Sequence, residues 1–266
     1  MLTHRTPKMK RLLKQLVELM ATLVVLPAVV LCRAGIWLLG PERGFAGWSQ
    51  LFALAPGLIG VFLRRAFYRL VLPRCGTDCC LTFGTILSHP TARIGDRVYV
   101  GANCSLGDVE LEDDVLLASH VSVMNGSQQH GIARLDVPIR EQPGVFVPVR
   151  IGRDSWIGER AVIAADVGRH CVIGAGSVVT KPIPDYAIAV GVPAKVIRFR
   201  NETLFHPEGM AAISRGSERS ADPRFVARSD LHPGGMQESK FAVSNESAGI
   251  PPGCDSVLNI YRGSAL

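Results

Sequence analysis

A six-residue spacing of branched aliphatic residues dominates the middle of this chain, from residue 94 to residue 179. These anchor residues, often followed directly by glycine, are Ile94, Val100, Leu106, Ile151, Ile157, Ile163, Ile173 and Val179. A period of six fits neither the apolar face of a helix nor the alternation of a flat strand. It is typical of a parallel β-helix, in which successive coils stack on one another.

A second regular position lies four residues after the anchors and carries a small or β-branched side chain. It includes Val98, Cys104, Val115, Val121, Ser155, Ala161 and Ser177. We expect both positions to point into a triangular coil of about 18 residues, built from three six-residue sides. The glycine after the anchor is expected to allow corner angles that a Cβ atom would resist.

The register of the repeat breaks in three places. The anchor at Leu111 arrives one residue early, and Val167 follows Ile163 after only four residues, which predicts a truncated coil at 166–170. The third and largest break is a loop inserted over residues 124–148. Long irregular insertions in compact folds are uncommon and tend to be functional, so we predict a functional role for this loop.

The first 74 residues are basic and strongly apolar instead of periodic. Apolar stretches occupy residues 16–39 and 45–63, each interrupted by proline, with basic residues on both outer sides. Because basic residues favour the cytosolic side of a membrane, the pattern predicts a membrane-associated apolar helical hairpin. Soluble helices packed on the end of the β-helix, or a signal peptide over residues 1–35, are the other interpretations.

The chain thus divides into three predicted segments: the helical segment 1–74, a β-helix domain 75–200, and a tail 201–266. The tail lacks the period and is rich in glycine, serine and proline, so we predict that it is largely disordered. The predicted fold class is mainly β. We expect a cytoplasmic protein that is peripheral to, or hairpin-anchored at, the inner face of the membrane.

Composition excludes some classes of partner. The formal net charge is +6, but aromatic residues make up only 6% of the chain and do not alternate with basic ones, as single-strand binders require. We therefore expect no nucleic acid partner. The seven cysteines are odd in number and lack paired spacing, which favours reduced thiols in the cytosol and predicts no metal site.

The end of the repeat carries the most specific signal. Residues 151–158 (IGRDSWIG), 173–184 (IGAGSVVTKPIP) and 189–198 (AVGVPAKVIR) resemble the hexapeptide-repeat acyltransferases, in the branch of galactoside, maltose, xenobiotic and colanic-acid-type O-acetyltransferases. The resemblance covers about residues 75–200. It implies a left-handed β-helix, a homotrimer and acetyl-CoA bound between neighbouring prisms. It also implies acetyl transfer to a hydroxyl by direct attack, without a covalent enzyme intermediate.

The reaction needs a base that takes the proton from the acceptor hydroxyl, and histidine suits this role near neutral pH. In the family that the chain resembles, the base is a histidine in the loop that leaves the repeat, which corresponds here to His130. His120, inside the repeat, is the competing candidate. Each could instead be an ordinary solvated histidine, and we interpret His89 and His170 as surface residues.

The resemblance also suggests residues that contact the substrates. Trp156 is expected to form a wall of the acyl and acceptor site, with trimer packing as the alternative, and Asn125 is expected to contact the acceptor. Acetyl-CoA is expected to meet Glu159, Ala175, Gly176, Thr180, Lys181, Lys195 and Arg198. Small residues let the pantetheine arm approach the backbone, and cations bind phosphates. Glu159 departs from the small polar residue that relatives carry.

The favoured function is an acyl-CoA-dependent O-acetyltransferase. It would acetylate a sugar hydroxyl of a polysaccharide or a lipid-linked cell-envelope precursor. Three alternatives use the same fold: a xenobiotic or antibiotic O-acetyltransferase, a metal-dependent protein resembling the γ-type carbonic anhydrases, and a non-catalytic scaffold.

Overall fold

The computed structural model describes residues 7–126 and 129–201. Three helices come first: α1 (Pro7–Leu39), α2 (Pro41–Ala53) and α3 (Gly57–Val71). The helical N-terminal region is confirmed, although it contains three helices instead of a two-helix hairpin. Pro27 lies inside α1 without ending it, whereas Pro56 is the N-cap residue of α3 and separates that helix from α2. The predicted tail lies outside the described residues, except Asn201.

Short strands follow: β1 (Arg74–Cys75), β2 (Cys80–Leu81), β3 (Ile86–Leu87), β4 (Arg93–Ile94), β5 (Tyr99–Val100), β6 (Ser105–Leu106), β7 (Val109–Leu111), β8 (Leu116–Leu117), β9 (Ser122–Val123), β10 (Val149–Ile151), β11 (Trp156–Ile157), β12 (Val162–Ile163), β13 (Val172–Ile173), β14 (Val178–Val179), β15 (Ala187–Val190) and β16 (Lys195–Phe199). A 3-10 turn, Ile139–Glu141, lies in the inserted loop.

The strands form the three sides of a triangular solenoid. Sheet A has the order β1-β4-β7-β10, sheet B runs from β2 through β5, β8, β11 and β13 to β15, and sheet C has the order β3-β6-β9-β12-β14. These pairings are parallel, and only β16 adds to the end of sheet B in the antiparallel direction. The chain makes about six coils, which confirms the predicted parallel β-helix. We name the turns between sheets the A/B, B/C and C/A corners.

The predicted truncation at 166–170 is wrong. Val167 forms parallel bridges with Ile151 in the coil before it and with Ile183 in the coil after it. It therefore occupies a sheet A position, and the coil is complete. Only the C/A corner between Ile163 and Val167 is shortened, so the missing residues come from a turn and not from a side of the prism.

The interior of the prism matches the two predicted positions. Each anchor between Ile94 and Val179 is buried, and so are the residues four positions later, such as Val98, Ala161 and Ser177. Burial of a branched aliphatic side chain stabilises a fold by about 1.5–3 kcal/mol. Stacked anchors therefore supply much of the driving force that holds the coils together.

The glycines after the anchors serve close stacking, which corrects the expectation of special corner angles. Neither Gly101 nor Gly158 has a positive φ. A Cβ atom on Gly101 would lie 2.5 Å from the carbonyl carbon of Ala118, and one on Gly158 would lie 2.4 Å from the nitrogen of Ala175. The left-handed residue is instead the third after the anchor. These residues are Arg97, Asn103, Asp114, His120, Asp154, Arg160 and His170, with φ between 54° and 63°.

The helices close the open end of the first coil, whose strands have no coil below them. Ser49 Oγ accepts a hydrogen bond from the Leu87 N–H at 2.9 Å and lies 2.9 Å from Tyr68 Oη. The buried Arg64 guanidinium donates to the Leu81 carbonyl at 2.9 Å. Burial raises the pKa of Tyr68 to about 12. These bonds satisfy polar groups of an edge that could otherwise pair with another chain.

Helix α1 has one buried and one exposed apolar face. Ala21, Val25, Val29 and Cys32 are buried, and α1 packs against both other helices. The exposed apolar residues are Leu12, Leu16, Leu19, Met20, Leu23, Val24, Leu26, Val30, Leu31, Trp37, Leu38 and Leu39. By length and composition, Lys14–Leu39 could cross a membrane.

The cysteines only partly follow the expectation of reduced thiols. Cys32, Cys75, Cys79, Cys104 and Cys171 are free. Cys80 is disulfide-bonded, so the expectation is wrong for that residue. Cys104 and Cys171 are buried inside the prism, and burial raises the pKa of Cys104 to about 11. Both act as small core residues.

Candidate functional site

The inserted loop leaves the prism at the C/A corner of the third coil, where Asn125 is almost fully buried at 8% exposure. Its Oδ1 accepts a hydrogen bond from the Asp108 N–H, and its Nδ2 lies 3.4 Å from His89 Nε2. The Asn125 amide is therefore engaged in fixing the base of the loop. The sequence predicts that His89 is a surface residue, but its side chain is only 18% exposed.

His89 has further contacts that no sequence spacing signals. Its Nδ1 lies 2.9 Å from Ser88 Oγ, and its Nε2 lies 3.4 Å from Glu42 Oε1, at the start of α2. The C/A corner thus joins the helical segment, the first coil and the root of the loop. These contacts bring together residues 42, 89 and 125, which are far apart in sequence, so only the fold reveals them.

The described part of the loop is organised around Gln142. This buried side chain donates hydrogen bonds to the carbonyls of Arg134 and Val137, at 2.7 and 2.9 Å, and accepts one from the Arg134 N–H. Gly144 packs directly on the backbone of the other limb, since a Cβ atom there would lie 2.9 Å from the His130 nitrogen. His130 itself is exposed. Contacts of Gln142 and Gly144 therefore fix the backbone of the loop, and the His130 side chain is exposed to solvent.

The face of sheet B carries Trp156, which is 50% exposed and aligned with Leu116 and Val172 of the neighbouring strands. Along the same register line, Val172 pairs with Ile188, which in turn pairs with Arg198 of β16. With strands about 4.8 Å apart, Trp156 and Arg198 are about 14 Å apart along this face. A long ligand lying across the strands would touch both.

The B/C corner next to this face carries three of the predicted cofactor residues, all exposed. The Gly176 N–H donates to the Glu159 carbonyl at 2.8 Å, which stacks the two corners. Gly176 has a φ of 67° and open space around it, and Ala175 precedes it. Lys195, paired with Val190, stands at the upper end of the same side.

The two candidate bases occupy different corners. His120 is exposed at the B/C corner, where its N–H donates to the Ala102 carbonyl and fixes the left-handed turn. It therefore shares a corner with Glu159 and Ala175. His130 is carried by the loop that leaves the C/A corner.

Thr180 and Lys181 are also exposed and lie at the C/A corner, two coils beyond Asn125. The ten predicted residues therefore form two groups. Trp156, Glu159, Ala175, Gly176, Lys195 and Arg198 lie on the sheet B side, and Asn125, His130, Thr180 and Lys181 lie on the C/A side. The prism separates the two groups within one chain.

Sheet A carries a charged groove with a volume of about 450 Å³. Asp113 contacts Arg74 at 2.9 Å and Arg153 at 3.1 Å. The hydrogen bond from the Asp96 N–H is the main cause that lowers the pKa of Asp113. Arg74 and Arg153 of this face are thus paired with a carboxylate. Among the described residues, no group of three or more His, Cys, Asp or Glu side chains is placed to hold a metal ion.

Known proteins share the six-residue repeat with this chain. A profile described as the hexapeptide repeat of succinyl-transferase matches residues 91–123 and 148–181, on either side of the inserted loop. The chain is 38% identical over 122 residues to a "Probable acetyltransferase" of Mycobacterium tuberculosis, covering 44% of this chain and 40% of the relative. It is 36% identical over 119 residues to the galactoside O-acetyltransferase of Escherichia coli, covering 42% and 56%.

Solved structures of acetyltransferases are also similar to this chain. A galactoside acetyltransferase in complex with coenzyme A is 27% identical, with a TM-score of 0.52 over 59% of this chain and 80% of that chain. A maltose O-acetyltransferase of Clostridium difficile, 24% identical with a TM-score of 0.53 over 59% and 86%, shares the fold. The chain spans about half the length of the two sequence relatives. Its β-helix therefore carries the hexapeptide repeat and is similar in sequence to a galactoside O-acetyltransferase.

Proposed function

We propose that this protein is an acetyl-CoA-dependent O-acetyltransferase. The observation that carries the proposal is the arrangement of an exposed loop histidine at one corner and an open, ligand-accessible face at another, on a fold shared with acetyltransferases. The relative that is 36% identical is a galactoside O-acetyltransferase, and the solved relative with coenzyme A is 27% identical. Both support a CoA thioester as donor and a sugar hydroxyl as acceptor.

In the proposed reaction, His130 accepts the proton of the acceptor hydroxyl while the oxygen attacks the thioester carbonyl. The tetrahedral intermediate collapses with cleavage of the carbon–sulfur bond. The CoA thiolate then takes the proton from the imidazolium, so the products are the acetyl ester and CoA. The pantetheine arm would lie along Ala175 and Gly176, and Lys195 and Arg198 would meet the phosphates.

The proposed site forms between two copies of the chain. The sheet B group and the C/A group lie on different parts of one prism, so a single chain does not bring His130 to its own donor face. A neighbouring copy whose loop reaches the B side would complete the site. A closed cyclic assembly repeats the same pairing at every interface, and a homotrimer is the simplest arrangement for a three-sided prism.

The proposed acceptor is a sugar hydroxyl of a polysaccharide or lipid-linked cell-envelope precursor. The exposed apolar face of α1 supports work at the cytosolic membrane surface, because a lipid-linked acceptor is concentrated there. These features support the proposal that the enzyme works where such precursors are assembled.

The decisive experiment measures CoA release from acetyl-CoA in the presence of lipid-linked and free sugar acceptors. We expect His130→Ala to reduce turnover by about 100-fold or more, as loss of a general base does, with CoA affinity measured by calorimetry unchanged. His120→Ala is the matched control and should retain most activity. The base assignment is wrong if His120→Ala is the inactive variant, or if His130→Ala loses CoA binding equally.

Co-expression of two inactive variants tests the site between copies. His130→Ala and Arg198→Ala each damage a different group, so mixed assemblies should contain some intact sites and regain measurable activity. Homogeneous assemblies of either variant should not. Absence of recovery in verified mixed assemblies would show that each chain carries its own complete site.

A further inference from the structure

Helix α1 lies across the end of the β-helix instead of pointing away from it. Near its start, Lys14 forms an ion pair with Asp78 at the A/B corner of the first coil. Just beyond its end, Glu42 lies 3.4 Å from His89 at the C/A corner. The 33-residue helix is about 50 Å long. Two contacts at different corners therefore fix its direction across the base of the prism.

Two charged residues within α1, Glu18 and Arg33, contact α3. Glu18 Oε1 accepts a hydrogen bond from the Nη2 of the buried Arg65 at 2.5 Å, and Glu18 also lies 3.8 Å from Arg69. Arg33 Nη2 donates to the Leu70 carbonyl at 2.8 Å. If α1 crossed a bilayer, Glu18, Arg33 and the α3 residues bound to them would have to enter a hydrocarbon core about 30 Å thick.

The opposite side of α1 has the character of a lipid-facing surface. Leu23, Val24, Val30 and Leu31 are each more than half exposed, and Trp37 is 83% exposed. Soluble monomers rarely expose a contiguous apolar face of this length, and such faces mark contact sites. At the same end of the molecule, α2 and the turn into α3 add Leu51, Leu54 and Ile59.

The sequence at the start of α1 is rich in basic residues. The first turns of α1 contain Lys8, Lys10 and Arg11 in the sequence. A groove of about 450 Å³ opens between α1 and α3, and its lining includes Leu19, Leu70 and Arg69. An acyl chain would contact the leucines, whereas Arg69 lies 3.8 Å from Glu18, which also lines the groove. The combination of a basic sequence and an apolar face favours a bilayer that contains anionic lipids.

We propose that α1 lies in the plane of an anionic bilayer as a monotopic anchor, so that the β-helix stands end-on upon the membrane surface. This deepens the membrane association proposed above and does not depend on acetyl transfer. The helix face opposite the prism contacts lipid, the prism axis points away from the bilayer, and both ends of the chain stay on one side.

Vesicle co-sedimentation of the full chain tests the lipid contact. We expect partition into phosphatidylglycerol–phosphatidylcholine vesicles to exceed that into pure phosphatidylcholine. The double variant Leu23→Glu/Val30→Glu should lower it by about tenfold or more. Leu135→Glu, at a loop residue that is 99% exposed, is the matched control and should bind normally. Equal binding of the double variant, or indifference to the anionic lipid, overturns the proposal.

Two further readouts do not depend on how the glutamate variants fold. Brominated lipids should quench wild-type fluorescence, and Trp37→Phe should remove that quenching; quenching that persists in this variant contradicts the proposed lipid face. In inverted membrane vesicles, external trypsin should cleave an N-terminal tag as readily as a C-terminal one. Protection of the N-terminal tag alone would show that α1 spans the bilayer. Neither measurement involves acetyl transfer, so a negative result would refute the membrane contact without bearing on the proposed enzyme activity.

Discussion

Replacement of Arg64 by methionine should destabilise the junction between the helices and the β-helix more than any surface substitution. Its side chain is fully buried and has no carboxylate partner among the residues that the structure describes. Its guanidinium donates to the carbonyls of Leu81, Phe52 and Ala55 at 2.9, 2.9 and 2.7 Å. Burial lowers the pKa of Arg64. The cation therefore depends on backbone dipoles at the end of α2 for its stabilisation.

The magnitude follows from which carbonyls lose their donor. Phe52 O keeps a second donor, the Ala55 N–H at 3.3 Å. The buried Leu81 O and the part-buried Ala55 O lose the guanidinium, and each unsatisfied carbonyl costs up to about 1–3 kcal/mol. Part of this cost is recovered because the substitution removes a buried charge. One nitrogen of that guanidinium, Nη2, has no hydrogen-bond partner in the described part of the chain. We expect a net loss of about 3 kcal/mol in the free energy of unfolding.

Chemical denaturation followed by circular dichroism measures the difference. Arg97→Met is the matched control: it removes the same side chain from an exposed bidentate pair with Asp114, at 2.6 and 2.7 Å, and should cost less than about 1 kcal/mol. Arg64→Lys keeps the charge but offers a single nitrogen, so we expect an intermediate loss. The reasoning is refuted if Arg64→Met and Arg97→Met cost the same.

Two further predictions concern stacking and acid stability. Gly158→Ala should lower stability in thermal denaturation by about 1–3 kcal/mol, because its Cβ atom would lie 2.4 Å from the next coil. The control Gly47→Ala lies in open space within α2 and should stabilise the protein by up to about 1 kcal/mol. Equal effects of the two substitutions would contradict the stacking role. Hydrogen bonds from the backbone and side chain of Thr77 lower the pKa of Asp96. Its stabilising contribution is therefore present above its unfolded pKa and is lost as pH falls through the folded value. Stability measured from pH 5 downward should fall less steeply in Asp96→Asn, and an unchanged slope would exclude this contribution.

The prism could be predicted from the sequence because its constraint repeats. One inward position every six residues is enough to list the buried anchors, and a second at four residues later accounts for Ala161 and Ser177. What the period does not encode is why a residue type is required. Glycine after an anchor suggested unusual backbone angles, whereas Gly158 is required because the next coil approaches closely. Contacts between coils join residues far apart in the chain, such as Gly158 with Ala175 and, across the inserted loop, Val149 with Val109, which a local pattern does not reveal.

The helical cap illustrates the opposite case. Its apolar composition predicted helices, but their arrangement depends on single long-range contacts, such as Arg65 with Glu18 and Ser49 with Leu87. No period connects these residues, and hydrophobicity alone allows α1 to cross a membrane, lie on it or pack inside the protein. The same limitation explains why the sequence does not reveal the contact between His89 and Asn125.

The coil period nevertheless gives one result about the site that neither composition nor resemblance provides. Position within the coil determines the corner on which a residue lies, so Thr180 and the root of the loop that carries His130 belong to one side of the prism, and Trp156 and Ala175 belong to another. A rigid solenoid cannot fold these sides together, because each coil is fixed by the coils above and below it. A direct-attack mechanism needs base, acceptor and thioester within contact of one another. If His130 is the base, catalysis requires a second copy of the chain, so enzyme concentration should limit activity where assembly is incomplete.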